Sequence, residues 1–174
     1  TDDLIVAIVE EAGKIAEGLL APINQSGDAE ACHFDNGTVT TPEGFKEAYK
    51  EFAEGGWSSL TGDVDYGGQG MPKMLSAVIE EMLFAANSSF ALYTILNTGA
   101  TLTLSHHGSD ELKQRYLPKM YSGNWSGTMC LTEPHAGTDL GMIKTKAELQ
   151  ADGSYRLSGT KIFITAGEHD LTEN

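Results

Sequence analysis

The sequence predicts a mainly α protein with a β segment, in which an all-α helical bundle domain is followed by an incomplete antiparallel β-domain. In five segments before residue 122, apolar residues recur at three- and four-residue spacing, as in amphipathic helices. Beyond that point the pattern changes to short runs of β-branched and aromatic residues, as in strands. We therefore expect two domains, residues 1–122 and residues 123–174.

The first two predicted helices lie near the amino terminus. Apolar residues repeat from Leu4 to Leu20 after two acidic residues, and Pro22 is expected to end this helix. The stretch 24–40 is rich in Gly, Asp, Asn and Thr and is typical of a surface excursion. Thr41 can cap a second helix and Pro42 can start it. Its apolar face and its glycine end are Phe45, Ala48, Tyr49, Phe52, Gly55 and Gly56.

Three further helices are predicted before residue 122. The third follows the glycine-rich stretch 63–70, and its shared apolar face consists of Met74, Leu75, Val78, Ile79, Met82 and Leu83. The fourth covers residues 89–106. The fifth begins after Ser109, whose hydroxyl can cap it, and runs to Leu117 because Pro118 is expected to stop it.

Four short runs after residue 122 have the composition of strands. They are residues 125–131, 144–150, 155–158 and 161–165. Asp152 and Gly153 supply a tight turn between the second and third runs. Since no closing strand follows, the sheet would keep exposed edges, and we expect a fragment of a longer protein.

The charge of the chain excludes several classes of partner. Twenty-five acidic and eleven basic residues give a formal net charge of -14. Such a surface repels nucleic acid and anionic lipid headgroups. The uncharged stretch 82–109 is interrupted by Asn, Ser, Thr and Gly, so it indicates buried helices rather than a membrane span.

Neither the cysteines nor the histidines have the pattern of a metal site. Cys32 and Cys130 stand alone, and the adjacent His106 and His107 cannot both face one ion, so no metal is expected. Isolated cysteines and the lack of a visible targeting signal favour a reducing compartment, and we expect a cytoplasmic protein.

A cluster of unusual residues follows the first β-prone run. Residues 129–139 read Met-Cys-Leu-Thr-Glu-Pro-His-Ala-Gly-Thr-Asp, so a strand end passes into a loop of small residues. The hydroxyls and unobstructed backbone N–H groups of such a loop can bind a polar ligand without a lysine. The alternative is a capped surface turn, because Thr-Glu-Pro and Gly-Thr-Asp are common turn sequences.

Four motifs resemble those of the acyl-CoA dehydrogenase family. Residues 130–140 are similar to the family signature, in which a strand residue, Ser or Thr, Glu, two variable residues, a small residue, Gly, Ser or Thr, and Asp follow one another. Residues 65–70 resemble its Tyr-Gly-Gly-x-Gly turn, and residues 108–117 its Gly-x-x-x-x-Lys-x-x-Tyr-Leu helix. Residues 159–165 resemble its later flavin strand. The motifs occur in the family's order and cover nearly the whole chain.

The resemblance implies where a flavin would lie. The family has an all-α amino-terminal domain, a middle β-domain and a second helical bundle, with FAD held between the β-domain and the helices. This chain would supply the first domain and part of the second. Met129, Leu131 and Thr132 are then expected along the pyrimidine side of the flavin. Thr138 is expected near the pyrophosphate or the thioester end of CoA.

The later flavin strand carries two further expected contacts. The resemblance places Phe163 against the isoalloxazine ring and the Thr165 hydroxyl near flavin N5, although ordinary strand packing is the alternative for Phe163. The chain departs from the common pattern at Met129, where many members have an aromatic residue. It departs again after Thr165, where residues 166–174 resemble a subgroup of larger bacterial members.

The resemblance also implies a substrate side and the place of the catalytic base. The uncharged helix face at Leu92, Ile95, Leu96 and Gly99 resembles the one that lines the acyl pocket, with plain helix packing as the alternative. The family's glutamate base lies in the carboxyl-terminal domain, so we expect no catalytic residue in this chain. Glu133 is expected to fix the loop instead.

The implied function is that of an oxidoreductase, an FAD-dependent acyl-CoA dehydrogenase of fatty-acid or related acyl-CoA catabolism such as β-oxidation. It would form a 2,3-enoyl-CoA, pass electrons to an electron-transfer flavoprotein and act as a homo-oligomer when full length. The alternatives are an acyl-CoA oxidase or related flavoprotein of the same fold, and a non-catalytic helical interaction module. The chain by itself is expected to be inactive and to bind FAD weakly or not at all.

Overall fold

The computed structural model describes residues 1–174, and its elements confirm the predicted fold class. The helices are α1 (Asp2–Lys14), α2 (Asn24–Glu30), α3 (Phe45–Glu54), α4 (Lys73–Ala86), α5 (Ser88–His107) and α6 (Asp110–Tyr121). The strands are β1 (His33–Asp35), β2 (Thr38–Thr40), β3 (Lys146–Leu149) and β4 (Tyr155–Ser158). Helices dominate the chain up to Tyr121, and one antiparallel hairpin follows. The division into domains at residues 122 and 123 stays a prediction.

The hydrophobic core lies between α1, α3, α4 and α5. Phe90 of α5 lies at the centre of this core and is completely buried. Three aromatic rings of α3 surround it at centroid distances of 6.0, 6.3 and 5.8 Å: Phe45, Tyr49 and Phe52. Such aromatic pairs contribute about 0.5–1.5 kcal/mol each beyond the burial of their area. The apolar face predicted for the second helix is therefore confirmed as the centre of the core.

The prediction that the first helix ends at Pro22 is wrong. The chain passes from α1 through a π-helical turn at Ile15–Leu20 and a 3-10 turn at Ala21–Ile23 directly into α2. Pro22 stands in the first positions of the 3-10 turn, where a helix needs no amide donor. It therefore does not interrupt the helical path of the chain. Burial of Leu20 holds the π-helical turn against the core.

The stretch 24–40 contains regular structure, which corrects its prediction as a surface excursion. Its first part is α2, and the second is the hairpin of β1 and β2. Asn36 and Gly37 form the turn at φ angles of 48° and 91°. Asn-Gly is a favoured pair for two-residue hairpin turns because both positions need positive φ.

Helix α3 does not begin with a threonine cap. Gly44, at φ 86°, precedes the helix, while the Thr41 amide and hydroxyl both donate to Asp170 near the end of the chain, at 3.1 and 2.7 Å. A carboxylate distant in sequence thus takes the place of the predicted local cap. The predicted end at Gly55 is confirmed.

The apolar face of α4 is narrower than predicted. Leu75, Ile79 and Leu83 are buried, whereas Met74 is 80% exposed and Val78 is 40% exposed. The buried residues follow a four-residue spacing, which selects one stripe of the helix against α1 and α5.

Helices α5 and α6 are both capped by side chains. The Asn87 carboxamide accepts the Phe90 amide at 3.0 Å and donates to the Leu20 carbonyl at 3.3 Å. The Ser109 hydroxyl accepts the Leu112 amide at 3.3 Å, as predicted. None of the six helices combines the length and the apolar composition that a membrane-spanning helix needs.

The prediction that Pro118 stops the fifth helix is wrong, because α6 continues to Tyr121. Leu117, Met120 and Tyr121 are all buried, and the Met120 carbonyl accepts the Asn97 carboxamide of α5 at 3.1 Å. Packing of this last turn offsets the hydrogen bond that the proline removes.

Only the central part of the predicted β structure forms strands. Strands β3 and β4 pair from Lys146 with Ser158 to Leu149 with Tyr155, and the turn contains Asp152 and Gly153 as predicted. Runs 125–131 and 161–165 were predicted as strands but are irregular. Phe163 adopts a positive φ of 54°, which lies outside the β region.

Gly68 marks the closest backbone approach in the glycine-rich turn that precedes α4. A methyl group there would overlap the backbone of Gly62 and Asp63, and the Gly68 amide donates to the Asp63 carbonyl at 2.8 Å. We expect Gly68→Ala to lower the free energy of unfolding in urea by about 1–3 kcal/mol.

Gly13→Ala is the matched control for this substitution. A methyl group at Gly13 in α1 meets nothing within 4 Å. The control is expected to raise the free energy of unfolding by up to about 1 kcal/mol, because alanine favours the helix. Equal effects of the two substitutions would contradict the close approach at Gly68.

Candidate functional site

The two irregular runs lie side by side in antiparallel orientation. The Ile162 amide donates to the Thr132 carbonyl at 2.9 Å, and the Thr128 hydroxyl donates to the Thr165 carbonyl. The Lys161 ammonium donates to the Leu131 carbonyl at 3.0 Å. Thr132 and Thr165 therefore belong to one wall, but they are staggered along it, with Thr165 opposite Thr128.

The predicted flavin contacts on this wall are mostly exposed. The exposed fractions are 61% for Met129, 37% for Leu131 and 86% for Phe163. Thr165 is exposed and Thr132 is half-buried. Apolar side chains that alternate with hydroxyls suit a ligand with a flat apolar ring and a polar edge, so this set fits the isoalloxazine ring of FAD.

Phe163 combines high exposure with strained backbone. A positive φ is a genuine outlier for a bulky residue, and such strain concentrates at ligand sites. The alternative of ordinary strand packing for Phe163 is not what the structure has, because its ring packs into no core of this chain.

Glu133 is buried directly behind the wall. Its carboxylate accepts the Lys144 amide at 2.8 Å, the Thr145 amide at 2.9 Å and the Lys161 ammonium at 2.9 Å. His135 Nε2 lies 3.4 Å from the same carboxylate. The expectation that Glu133 fixes the loop is confirmed, since its contacts join the loop to the chain on either side of β3 and β4.

These contacts stabilise the charged form of Glu133. The Thr145 hydroxyl, the Lys144 amide and the Lys161 ammonium lower the pKa of this carboxyl far below its usual value, against the effect of burial. The hydroxyl itself makes no hydrogen bond of normal geometry, so the two amides and the ammonium are the firm contacts. Glu133 is an ionised structural group, and both of its oxygens are engaged.

The loop after Glu133 is held by local hydrogen bonds. The Glu133 and Ala136 backbones exchange two hydrogen bonds, at 2.9 and 3.0 Å. His135 Nε2 lies 3.1 Å from the Met142 carbonyl, and the Asp139 carboxylate accepts the Gly141 amide at 3.0 Å. Thr138 is exposed within this loop. The loop is therefore a capped turn, and the hydrogen bonds that cap it leave Thr138 accessible to a ligand.

The predicted acyl face of α5 lies beside the wall. Leu92 is 40% exposed, Ile95 and Leu96 are half-buried, and a methyl group at Gly99 would meet nothing within 4 Å. The wall approaches this helix where Gly127 crosses Ala100, and a methyl group at Gly127 would overlap the Ala100 side chain. The open helix face and the start of the wall are therefore neighbours.

A cavity of the helical bundle lies elsewhere. It has a volume of about 210 Å³ and is bounded by α4, α5 and the 57–63 turn. Its α5 lining includes Thr94, Thr98 and Thr101, which at helical periodicity lie on the face opposite to Leu92 and Leu96. The predicted acyl residues do not line it.

Several residues that organise the site were missed by the sequence analysis. Lys161 stands inside the flavin-strand motif, but nothing in its spacing indicates that it binds Glu133. His169 and Asp170 follow Thr165 and anchor this part of the chain to the helices. No pattern of composition or periodicity distinguishes them from a polar turn.

The comparisons with known proteins agree on one family. Residues 5–124 match the sequence profile of the family described as acyl-CoA dehydrogenase, N-terminal domain. A 3-methylmercaptopropionyl-CoA dehydrogenase of Ruegeria pomeroyi is 48% identical over 168 residues, which cover 97% of this chain and 29% of the relative. A butyryl-CoA dehydrogenase of Syntrophomonas wolfei is 41% identical in an alignment of 176 positions, gaps included, that covers 99% of this chain and 29% of the relative.

A solved structure has the same fold. The acyl-CoA dehydrogenase from Bacillus anthracis complexed with FAD superposes with a TM-score of 0.77 at 28% identity and covers 92% of this chain and 26% of its own. The chain thus spans less than a third of the length of the curated relatives it matches.

Proposed function

Because the chain belongs to the family of acyl-CoA dehydrogenase amino-terminal domains, we propose that it is part of an FAD-dependent acyl-CoA dehydrogenase. The protein would catalyse the 2,3-dehydrogenation of an acyl-CoA thioester in fatty-acid or related acyl-CoA catabolism. The observation that carries this proposal is the antiparallel contact of residues 128–132 with residues 162–165, since it gathers the motif residues into one wall. When bound, FAD supplies the acceptor for the hydride that leaves the substrate.

Six residues of this chain would hold FAD. Met129 and Leu131 offer apolar contacts to the pyrimidine side, and Thr132 adds a hydroxyl and an amide. Phe163 covers the ring, Thr165 places a hydroxyl near N5, and Thr138 approaches the pyrophosphate or the thioester end of CoA. Five of the six are exposed in this chain and Thr132 is half-buried, which supports the assignment because a bound ring would cover them.

The open face of α5 would receive the acyl group. Leu92, Ile95 and Leu96 supply apolar contacts, and Gly99 leaves space for the chain of the substrate. The relatives are named for butyryl-CoA and 3-methylmercaptopropionyl-CoA, both of which carry short linear acyl groups. We therefore propose a short linear acyl-CoA as the substrate.

The catalytic base would come from outside this chain. Glu133 is excluded from that role by its contacts, because an ionised carboxylate with both oxygens engaged has no free oxygen to accept a substrate proton. We therefore propose that this chain positions the cofactor and the acyl group while another part of the protein moves the proton.

The partners follow from the same family assignment. An electron-transfer flavoprotein is the proposed acceptor of the electrons, and the full-length protein is proposed to be a homo-oligomer. The two cysteines are free and exposed, which supports a reducing compartment such as the cytoplasm.

Flavin bleaching tests the proposed activity. The full-length protein is purified with FAD, and butyryl-CoA or 3-methylmercaptopropionyl-CoA is added without oxygen. Loss of the oxidised flavin absorbance is expected with at least one thioester and with neither free acid. An unchanged spectrum with every thioester would overturn the proposal. Peroxide formation in air at the rate of substrate loss would identify an acyl-CoA oxidase instead.

A substitution at Gly99 separates acyl binding from folding. Gly99→Leu should raise the stability of α5 by up to about 1 kcal/mol, because leucine favours the helix and its Cβ atom would meet nothing within 4 Å. The same side chain would fill the acyl space and raise KM for butyryl-CoA at least about tenfold. Gly13→Leu in α1 is the control and should leave KM unchanged. Equal KM values for both variants would show that α5 does not line the acyl site.

A further inference from the structure

The chain beyond Thr165 folds back onto the helical bundle. Asp170 accepts two hydrogen bonds from Thr41, ahead of α3, and lies 3.7 Å from the Lys46 ammonium. The Leu171 side chain packs against the core. These contacts tie the segment that carries Thr165 to the helices within six residues of that threonine.

His169 is the buried side chain of this returning segment, with 5% of its surface exposed. Its ring meets the Tyr93 ring of α5 edge-on, at a centroid distance of 5.1 Å and an interplanar angle of 84°. Nε2 lies 3.1 Å from the Ser126 hydroxyl, and Nδ1 accepts the Leu171 amide at 3.3 Å. One imidazole thus contacts α5, the start of the wall and its own segment.

The hydrogen bonds require a neutral imidazole. Because Nδ1 accepts an amide hydrogen, the ring proton belongs on Nε2, where it is donated to Ser126. Burial lowers the pKa of His169, although the Asp170 and Glu168 carboxylates oppose this effect. The ring is therefore held in one tautomer and in one orientation.

The partners of His169 adjoin both halves of the proposed site. Tyr93 follows Leu92 on α5 and lies one turn before Leu96, so it borders the acyl face. Ser126 directly precedes Gly127, where the wall crosses α5 at Ala100. A shift of the imidazole would move the acyl-bearing helix relative to the wall.

We propose that His169 is a positioning residue that sets the distance between the acyl face of α5 and the two segments of the flavin wall. The inference rests on the proposed function, which needs the reacting carbon and the flavin within about 3–3.5 Å of each other. His169 touches neither ligand. It acts through Tyr93 of α5 and through Ser126, which directly precedes the close approach of Gly127 to α5.

The test uses the full-length protein with FAD bound and compares His169→Ala, His169→Gln and the control His107→Ala, which removes an exposed histidine at the end of α5. Flavin reduction by saturating butyryl-CoA is expected to slow about 10- to 100-fold in His169→Ala, with KM within about threefold of wild type. His169→Gln keeps a donor toward Ser126 and should recover most of the rate. His107→Ala should match wild type.

Hydrogen exchange gives a readout that does not depend on activity. The Leu171 and Ile162 amides should exchange faster in His169→Ala than in wild type, because one loses its acceptor and the other reports the contact between the two wall segments. Wild-type reduction rates in His169→Ala would overturn the proposal, as would a loss that His169→Gln does not recover.

Two further outcomes are decided separately. If His169→Ala does not fold, Ser126→Ala is used instead, which removes the Nε2 partner together with the 3.3 Å contact to the Thr172 hydroxyl. It carries the same expectation of slower reduction at unchanged KM, and a wild-type rate would then overturn the proposal. If no thioester reduces the wild-type flavin, the proposed function has failed. In that case hydrogen exchange of the Ile162 amide is the only test of the positioning role. Faster exchange in His169→Ala supports that role, and unchanged exchange refutes it.

Discussion

Replacing Glu133 by glutamine is expected to detach the loop of the flavin wall from β3. The substitution leaves the half-buried Lys161 ammonium without its carboxylate and turns one acceptor toward the Lys144 and Thr145 amides into a donor. Removing one partner of a buried pair is strongly destabilising because the other charge stays buried. We expect the Lys144 and Thr145 amides to exchange with solvent at least about 100-fold faster.

Glu148→Gln is the matched control, because it removes the same charge from the exposed face of β3. It should leave both exchange rates within about threefold of wild type, as substitutions away from buried networks do. Slow exchange in Glu133→Gln, equal to that of the control, would show that the carboxylate does not hold the loop.

The pH dependence of the same exchange follows from the lowered pKa of Glu133. The unfolded loop binds a proton near the usual pKa of 4.5, whereas the folded loop resists protonation. The contribution of Glu133 is therefore fully present above about pH 5 and is lost as the pH falls below the unfolded value toward the folded one. Glu133→Gln should lack this component of acid sensitivity.

Phe90→Ala is expected to cause the largest loss of stability in the helical bundle. Phe90 is completely buried and contacts three aromatic rings of α3, so its truncation leaves a cavity that neighbouring rings cannot fill. Such truncations lower the free energy of unfolding by about 3–5 kcal/mol. Urea denaturation followed by circular dichroism measures the change.

Phe34→Ala provides the comparison for Phe90→Ala. Phe34 lies in the β1–β2 hairpin with 75% of its surface exposed, so its removal should change the free energy of unfolding by less than about 1 kcal/mol. A loss for Phe90→Ala no larger than that for Phe34→Ala would mean that the aromatic cluster is not the centre of the core.

The sequence predicted most helices because local signals and burial agree there. The spacing of apolar residues in α3 and the Ser109 cap of α6 are local, and packing reinforces them. The prolines were misjudged because their effect depends on tertiary context. Pro22 falls where a new turn starts, and Pro118 is overridden by the packing of Leu117 and Tyr121.

The candidate site was predicted only in part. Residues 128–132 lie beside residues 162–165, but runs 125–131 and 161–165 form no ladder, because side-chain donors such as Thr128 and Lys161 replace strand bonds and Phe163 takes a positive φ. The role of His169 depends on contacts with residues 43 and 76 positions away in sequence. No periodicity within one segment encodes such contacts.

The Asn87 carboxamide joins the π-helical turn at Ile15–Leu20 and the first turn of α5 into a single cooperative unit. One side chain supplies both the start of α5 and a donor to the carbonyl that ends the π-helical turn at Leu20. Local opening of residues 15–20 therefore breaks the hydrogen bond between Asn87 and the Leu20 carbonyl and is coupled to the α5 cap. Native-state exchange should detect residues 15–20 and the first turn of α5 opening together, at one shared free energy.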